Sequence, residues 1–181
     1  MAKAGKRTVL LELDLHKPRI QKVMDMNNDV GISSILIGRA DYKDAIKRTL
    51  IENLDVILSG PLPPNASELI LTPQLAKLFS DLKQHYDYVI IDTPPIGIIS
   101  DALVMMKNAD INLYVLRASK AKIGYIENAH NIKEKHDPKN FGFILNGVNF
   151  DGGGYYGYGY GYGYGYGYGY GYTSEEKVKK N

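Results

Sequence analysis

The run Tyr88-Val89-Ile90-Ile91-Asp92 constrains this chain more than any other feature. Its alternate side chains are apolar on both sides, and Thr93-Pro94-Pro95 stops it at once. A strand with no polar face has to be covered on both faces, which is the condition of a parallel sheet between two helical layers. Four further runs read as short apolar strands: residues 8–13, 54–58, 111–117 and 141–145. Helical periodicity and breakers predict helices between them, over 31–37, 41–50, 67–71, 73–84, 100–107 and 122–135. Asp41 is the expected N-cap of the second of these, and Thr72 with Pro73 the expected start of the fourth. Strands alternating with helices predict an α/β fold, a doubly wound parallel sheet with helices on both faces. Such a sheet binds its ligand beyond the C-terminal ends of the strands.

Composition narrows the partners. The 181 residues carry a net charge of +2, too weak a field to hold nucleic acid by itself. There is no cysteine, which excludes disulfides and thiolate metal sites. No apolar run approaches the roughly 20 residues that span a bilayer, and no apolar stretch follows the N-terminal lysines as in a secretory signal. The expected location is cytoplasmic, with any membrane attachment made through a partner.

Three strand ends carry polar groups. Asp92 closes an apolar strand in the Walker B manner, where a carboxylate holds Mg²⁺ or its water shell beside a phosphate. An aspartate that caps the next turn is the competing explanation. Glu12 and Asp14 lie two residues apart at the end of the first strand and are expected to project to one side. Beside a phosphate they suit a base for a hydroxyl nucleophile and a second metal anchor. A solvated loop capped by Asp14 is the alternative. His16-Lys17-Pro18-Arg19 follows, either pairing with phosphate or forming a solvated basic turn. Asn146 ends the last strand, where its amide offers a donor and an acceptor to a purine edge or simply makes a turn before Gly147. Arg117 pairs with a phosphate or closes its strand. The four histidines lack metal-ligand spacing.

The chain divides in composition at about residue 150, giving a domain over 1–150 and a tail over 151–181. From Gly157 to Tyr172 the tail is eight Gly-Tyr dipeptides, preceded by Tyr155 and Tyr156. Glycine at alternate positions makes ordering costly, so the segment is expected to be disordered. Ten of the chain's fifteen tyrosines lie here: Tyr155, Tyr156, Tyr158, Tyr160, Tyr162, Tyr164, Tyr166, Tyr168, Tyr170 and Tyr172. As phosphoacceptors they would add roughly −15 to −20 charges. A low-complexity adhesive is the other reading.

The residues resemble one family. Val9-Leu10-Leu11-Glu12-Leu13-Asp14-Leu15-His16-Lys17-Pro18 is similar to the Walker A′ motif of the bacterial tyrosine kinases, the capsule and exopolysaccharide co-polymerase autokinases of the MinD/ParA-like P-loop ATPase branch. Ser59-Gly60-Pro61-Leu62-Pro63-Pro64-Asn65-Ala66-Ser67-Glu68-Leu69 resembles their proline loop, Tyr88 to Pro95 their Walker B motif, Asp101-Ala102 the start of the next helix, and Leu145-Asn146-Gly147-Val148 the strand end that meets adenine. The tyrosine-rich tail is similar to their autophosphorylation segment. The resemblance implies ATP and Mg²⁺ as cofactors. It places Asp92 and Asp14 at the metal, Glu12 or Asp14 at the tyrosine hydroxyl, and Asn146 at the adenine; Arg117, from its strand end alone, is the further candidate at the nucleotide. It implies a homo-oligomer or an intact homologous kinase as one partner, and a membrane adaptor or polysaccharide co-polymerase as another.

Two departures stand out. Glu12 and His16 stand where the family often has Asp and Arg. The sequence also contains no Gly-rich, Lys-containing Walker A loop, and Ala2-Lys3-Ala4-Gly5-Lys6-Arg7 resembles the end of the helix that should follow one. The expectation is therefore of a kinase-like domain without its first βα unit. It is either an ATP-dependent autokinase or an inactive substrate or regulatory module of an intact kinase. A partitioning ATPase would not need the tyrosine array, and a purely adhesive protein would not need the strand-end carboxylates.

Overall fold

A computed structural model describes residues 1–96 and 101–148. A 3₁₀ turn, Ala2–Ala4, ends at Gly5 in the left-handed region. The order is then β1 (Thr8–Glu12), α1 (Ile20–Met24), α2 (Ile32–Leu36), α3 (Tyr42–Ala45), β2 (Lys47–Arg48), β3 (Leu54–Ile57), α4 (Ala66–Ile70), α5 (Pro73–His85), β4 (Tyr88–Asp92), α6 (Asp101–Met106), β5 (Asn112–Arg117), α7 (Ile123–His136) and β6 (Phe141–Asn146). The ten tail tyrosines and the expected helix start at Ser100 lie outside the described residues.

The hydrophobic pattern explains the main sheet. Its strand order is β2-β3-β1-β4, with β1 parallel to both β3 and β4. Val9 and Leu11 of β1 are fully buried, as is Ile57 of β3. They pack with Ile32 and Leu36 of α2, Leu69 and Ile70 of α4, and one stripe of α5. That stripe, Leu75, Leu78, Phe79 and Leu82, has the i, i+3, i+4, i+7 spacing of a helix laid against a sheet. The strand register aligns Glu12 with Asp92, so the C-terminal ends of β1 and β4 finish side by side.

The structure departs from the sequence expectation at 41–50. Asp41 does cap a helix, accepting from the Lys43 N–H at 2.9 Å. The helix ends at Ala45, however, and Ile46 is extended. Lys47 and Arg48 then pair antiparallel with Val56 and Asp55 of β3. An unpaired edge of β3 offers these residues main-chain partners that helical spacing could not reveal. Thr72 does stand at the N-cap of α5 with Pro73 opening the helix, but its hydroxyl donates back to the Leu69 carbonyl at 2.6 Å and makes no capping bond.

The remaining strands form a separate parallel pair, β5-β6, with Asn112 opposite Phe141 and Arg117 opposite Asn146. Tyr114, Phe141 and Phe143 make an aromatic cluster on one face, with centroids 5.5–6.2 Å apart. Leu113, Val115, Phe143 and Leu145 are all more than half exposed. Of α7 only Ala129 and Ile132 are buried. Among the described residues, then, this pair is less covered than its apolar composition led one to expect.

Gly31 marks the tightest approach near the strand ends. A Cβ there would stand 2.3 Å from the Gly60 nitrogen and 2.3 Å from the Leu58 oxygen, both main-chain atoms. Gly124 in α7 is the opposite case, with nothing within 4 Å of the same position. Gly31→Ala should therefore cost about 3 kcal/mol of stability in urea unfolding. Gly124→Ala should gain about 0.5 kcal/mol from helix propensity.

Candidate functional site

The site begins where β1 stops. The Leu13 N–H donates to the Asp92 carbonyl at 2.9 Å, extending the β1–β4 ladder by one bond before the chain turns away. Asp14 then shapes the turn: its Oδ1 accepts from the main-chain N–H of His16 at 3.2 Å and of Lys17 at 2.9 Å. This is an aspartate-stabilised turn, and both bonds fall on one carboxylate oxygen.

Glu12, expected beside Asp14 as a base, is placed otherwise. It is 0% exposed. Its Oε1 accepts from the main-chain N–H of Arg19 at 2.6 Å and of Ile20 at 2.5 Å, and its Oε2 from that of Ser59 at 3.1 Å. A carboxylate holding three amides is satisfied where it is and ties the turn after β1 to the end of β3. Strand alternation located this carboxylate correctly at the sheet end, but alternation says nothing about which amides will meet it.

Asp92 is the electrostatically loaded member. Partial desolvation pushes its pKa above the usual carboxylate range, and the nearby charges of Asp14 and Glu12 push it the same way. Asp92 is one of the exposed residues of β4, so solvent screens part of that repulsion. A divalent cation is the natural counter-charge. Among the described residues no group of three or more His, Cys, Asp or Glu side chains is arranged to hold a metal. Asp14 and Asp92 nevertheless fit Mg²⁺, which commonly takes one or two carboxylates and completes its shell with water and substrate phosphate oxygens.

Arg117 and Asn146 form the second expected group. They are register partners at the C-terminal ends of β5 and β6, and the Ala118 N–H donates to the Asn146 carbonyl at 2.8 Å. Both side chains are exposed. The structure thus brings these two together, and brings Glu12, Asp14 and Asp92 together, on different sheets.

Several positioning residues escaped the sequence reading. Asn28 grips the first peptide of the proline loop: its Oδ1 accepts from the Gly60 N–H at 2.8 Å and its Nδ2 donates to the Gly60 carbonyl at 3.0 Å. The same Nδ2 reaches Ser59 Oγ at 3.1 Å. Ile32 and Ser33 extend this zip with main-chain bonds to the carbonyls of Leu58 and Ser59, both at 2.8 Å. Gly60 sits at φ +77°, which its glycine tolerates without strain. The partners are about thirty residues apart, so no local pattern signals them. The breakers 61–65 gave the loop itself away.

Known proteins share this sequence and this fold. The family model described as AAA domain matches residues 1–139. CapB of Staphylococcus aureus is 37% identical over 150 residues, covering 83% of this chain and 66% of CapB. The tyrosine-protein kinase YwqD of Bacillus subtilis is 32% identical over 159 residues, covering 86% of this chain and 67% of YwqD. The solved kinase domain of the Escherichia coli tyrosine kinase ETK superposes with a TM-score of 0.80 at 30% identity, covering 89% of this chain and 63% of that one. The chain spans about two thirds of the length of these relatives. It belongs to the AAA domain family, among the bacterial tyrosine kinases.

Proposed function

We propose that this chain serves as the nucleotide-binding domain of a bacterial protein-tyrosine autokinase of exopolysaccharide or capsule synthesis and export. The observation that carries this is the gathering of Asp14, Glu12 and Asp92 where β1 and β4 end side by side: partial burial, and then the charges of Asp14 and Glu12, raise the cost of charging Asp92. Its relatives YwqD and ETK are named tyrosine kinases.

In this reading Asp92 and Asp14 would hold Mg²⁺, which when bound would supply positive charge beside the phosphates of ATP. Asp14 also orients or deprotonates the tyrosine hydroxyl, whose ordinary pKa of about 10 makes such help useful. Glu12 is less suited to that step, because both its oxygens are engaged by amides. Asn146 faces the adenine and Arg117 a phosphate. The tyrosines from Tyr155 to Tyr172 are the acceptors. The partners are further copies or an intact homologous kinase, together with a membrane adaptor that holds the domain at the inner face of the plasma membrane. No helix of the described residues is long and apolar enough to cross the membrane on its own.

A second reading is favoured by Glu12, whose two oxygens are both engaged by main-chain amides and leave the site one open carboxylate fewer. The chain is then a substrate or regulatory module phosphorylated by an intact relative. Incubation with radiolabelled ATP, with and without such a relative, separates the two. We expect little incorporation by the chain alone and strong incorporation into the tail in the mixture. Robust labelling of the chain alone would remove the substrate reading, and no labelling in either reaction would remove the phosphoacceptor role.

The metal assignment makes a pH-dependent prediction. A carboxyl whose folded pKa is raised stabilises the fold when protonated, and that contribution is lost as pH rises through the folded value. Asp92→Asn stays uncharged throughout. It should melt about 1–2 °C above the unaltered protein at pH 7, a small shift because the group is screened. The gain should vanish below about pH 4, where the aspartate is protonated. Added Mg²⁺ should raise the melting temperature of the unaltered chain and leave that of Asp92→Asn unmoved.

A further inference from the structure

One buried carboxylate at the strand ends takes no part in the proposed chemistry. Asp101 is the first residue of α6 and is 3% exposed. Its Oδ2 accepts from Ser67 Oγ at 3.0 Å and lies 3.2 Å from His16 Nε2. His16 Nε2 and Ser67 Oγ are 3.5 Å apart. Three segments distant in sequence meet there: the turn after β1, α4, and α6.

A serine, a histidine and an aspartate together raise the question of a nucleophile. The geometry answers it. In a working triad the aspartate holds one ring nitrogen while the other takes the serine proton. Here Asp101 and Ser67 both face Nε2, so the ring has no second nitrogen in the relay. What remains is a mechanical fastening, one buried carboxylate oxygen shared between two groups. A buried carboxylate left without these partners would carry a desolvation cost, so the three side chains hold one another in place.

The fastening reaches the metal carboxylate through His16. The His16 ring is tied to Asp101, and its main-chain N–H donates to Asp14 Oδ1. The turn bonds of Asp14 are short-range and exposed, so each holds the turn only weakly. A tertiary tether on His16 therefore governs how firmly that turn is held.

We propose that Asp101 is a positioning residue: through His16 it fixes the turn after β1 and so sets the direction of the Asp14 carboxylate. The functional meaning rests on Asp14 being a metal ligand, as proposed above, whereas the mechanical claim does not. Sequence position could not disclose this role, because 85 residues separate His16 from Asp101.

Hydrogen–deuterium exchange on the full chain tests the mechanical claim. Asp101→Ala should speed exchange of the His16 and Lys17 amides about tenfold while leaving those of β1 and α5 unchanged. Asp101→Asn keeps an acceptor oxygen in place and should restore most of the protection. Should Asp101→Ala fail to fold, His16→Ala removes the same tether from a partly exposed ring and should give the same local loosening. Unchanged exchange at 16–17 overturns the proposal, as does an increase spread evenly over the domain, the mark of a purely stabilising role.

Mn²⁺ titration then reads the consequence. Asp101→Ala should weaken Mn²⁺ binding about tenfold, with Asp101→Asn close to the unaltered protein. Equal Mn²⁺ binding by the unaltered chain and Asp92→Asn would defeat the metal assignment, while the exchange result still decides the tether. Loosened amides with unchanged Mn²⁺ affinity, in a chain that does need Asp92 for the metal, would overturn the link from Asp101 to Asp14.

Discussion

The buried carboxylate of Glu12 holds the strand-end region together. Three main-chain N–H groups converge on it, two from the turn after β1 and one from the end of β3. Remove that acceptor and three amides lose their partner, two of them part-buried and that of Ser59 buried, the last a penalty of about 1–3 kcal/mol. The proline loop begins at the residue whose amide Glu12 accepts, and Asn28 and Gly31 pack against the next peptide. Two loops from different strands are thereby fixed relative to each other by one side chain.

That arrangement sets up an electrostatic conflict. Glu12, Asp14 and Asp92 gather at neighbouring strand ends, and the carboxyl of Asp92 is pushed up by partial desolvation and then by the charges of Asp14 and Glu12. The amides around Glu12 offset its own burial. Asp14 is partly engaged by its turn. Asp92 is left as the group least compensated, and so the one whose state a cation would change most. Stability and ligand binding pull against each other at this residue, as they often do where a site is made by crowding like charges.

The two sheets differ in how well they are covered. In the main sheet, α2 and α5 bury the Val9 and Leu11 side of β1, and the alternation of fully buried positions is clear. On the outer strand β4, Tyr88 and Ile90 remain exposed at 39% and 44%. The β5-β6 pair likewise keeps apolar side chains in solvent on both faces. Exposed apolar strand positions of this kind are unusual for a parallel sheet, whose faces are ordinarily buried.

The amino-acid sequence by itself determined five of the six described strands, most of the helices and the ends at which polar residues collect. Those follow from local periodicity, breakers and the two-residue side-chain alternation of a strand. It put Asp14 and Asp92 at the ends of β1 and β4 because a carboxylate after an apolar run is visible one strand at a time. It misjudged 41–50 because the competing partner, the edge of β3, lies outside any local window. It grouped Glu12 with Asp14 as reactive because spacing cannot tell a carboxylate held by amides from an open one. Only the tertiary structure decided that Glu12 is a clamp, that Asn28 and Gly31 secure the proline loop, and that Asp101 meets His16 and Ser67. Each depends on groups tens of residues apart brought within hydrogen-bond distance, and such contacts exist only once the sheet and its connections have folded.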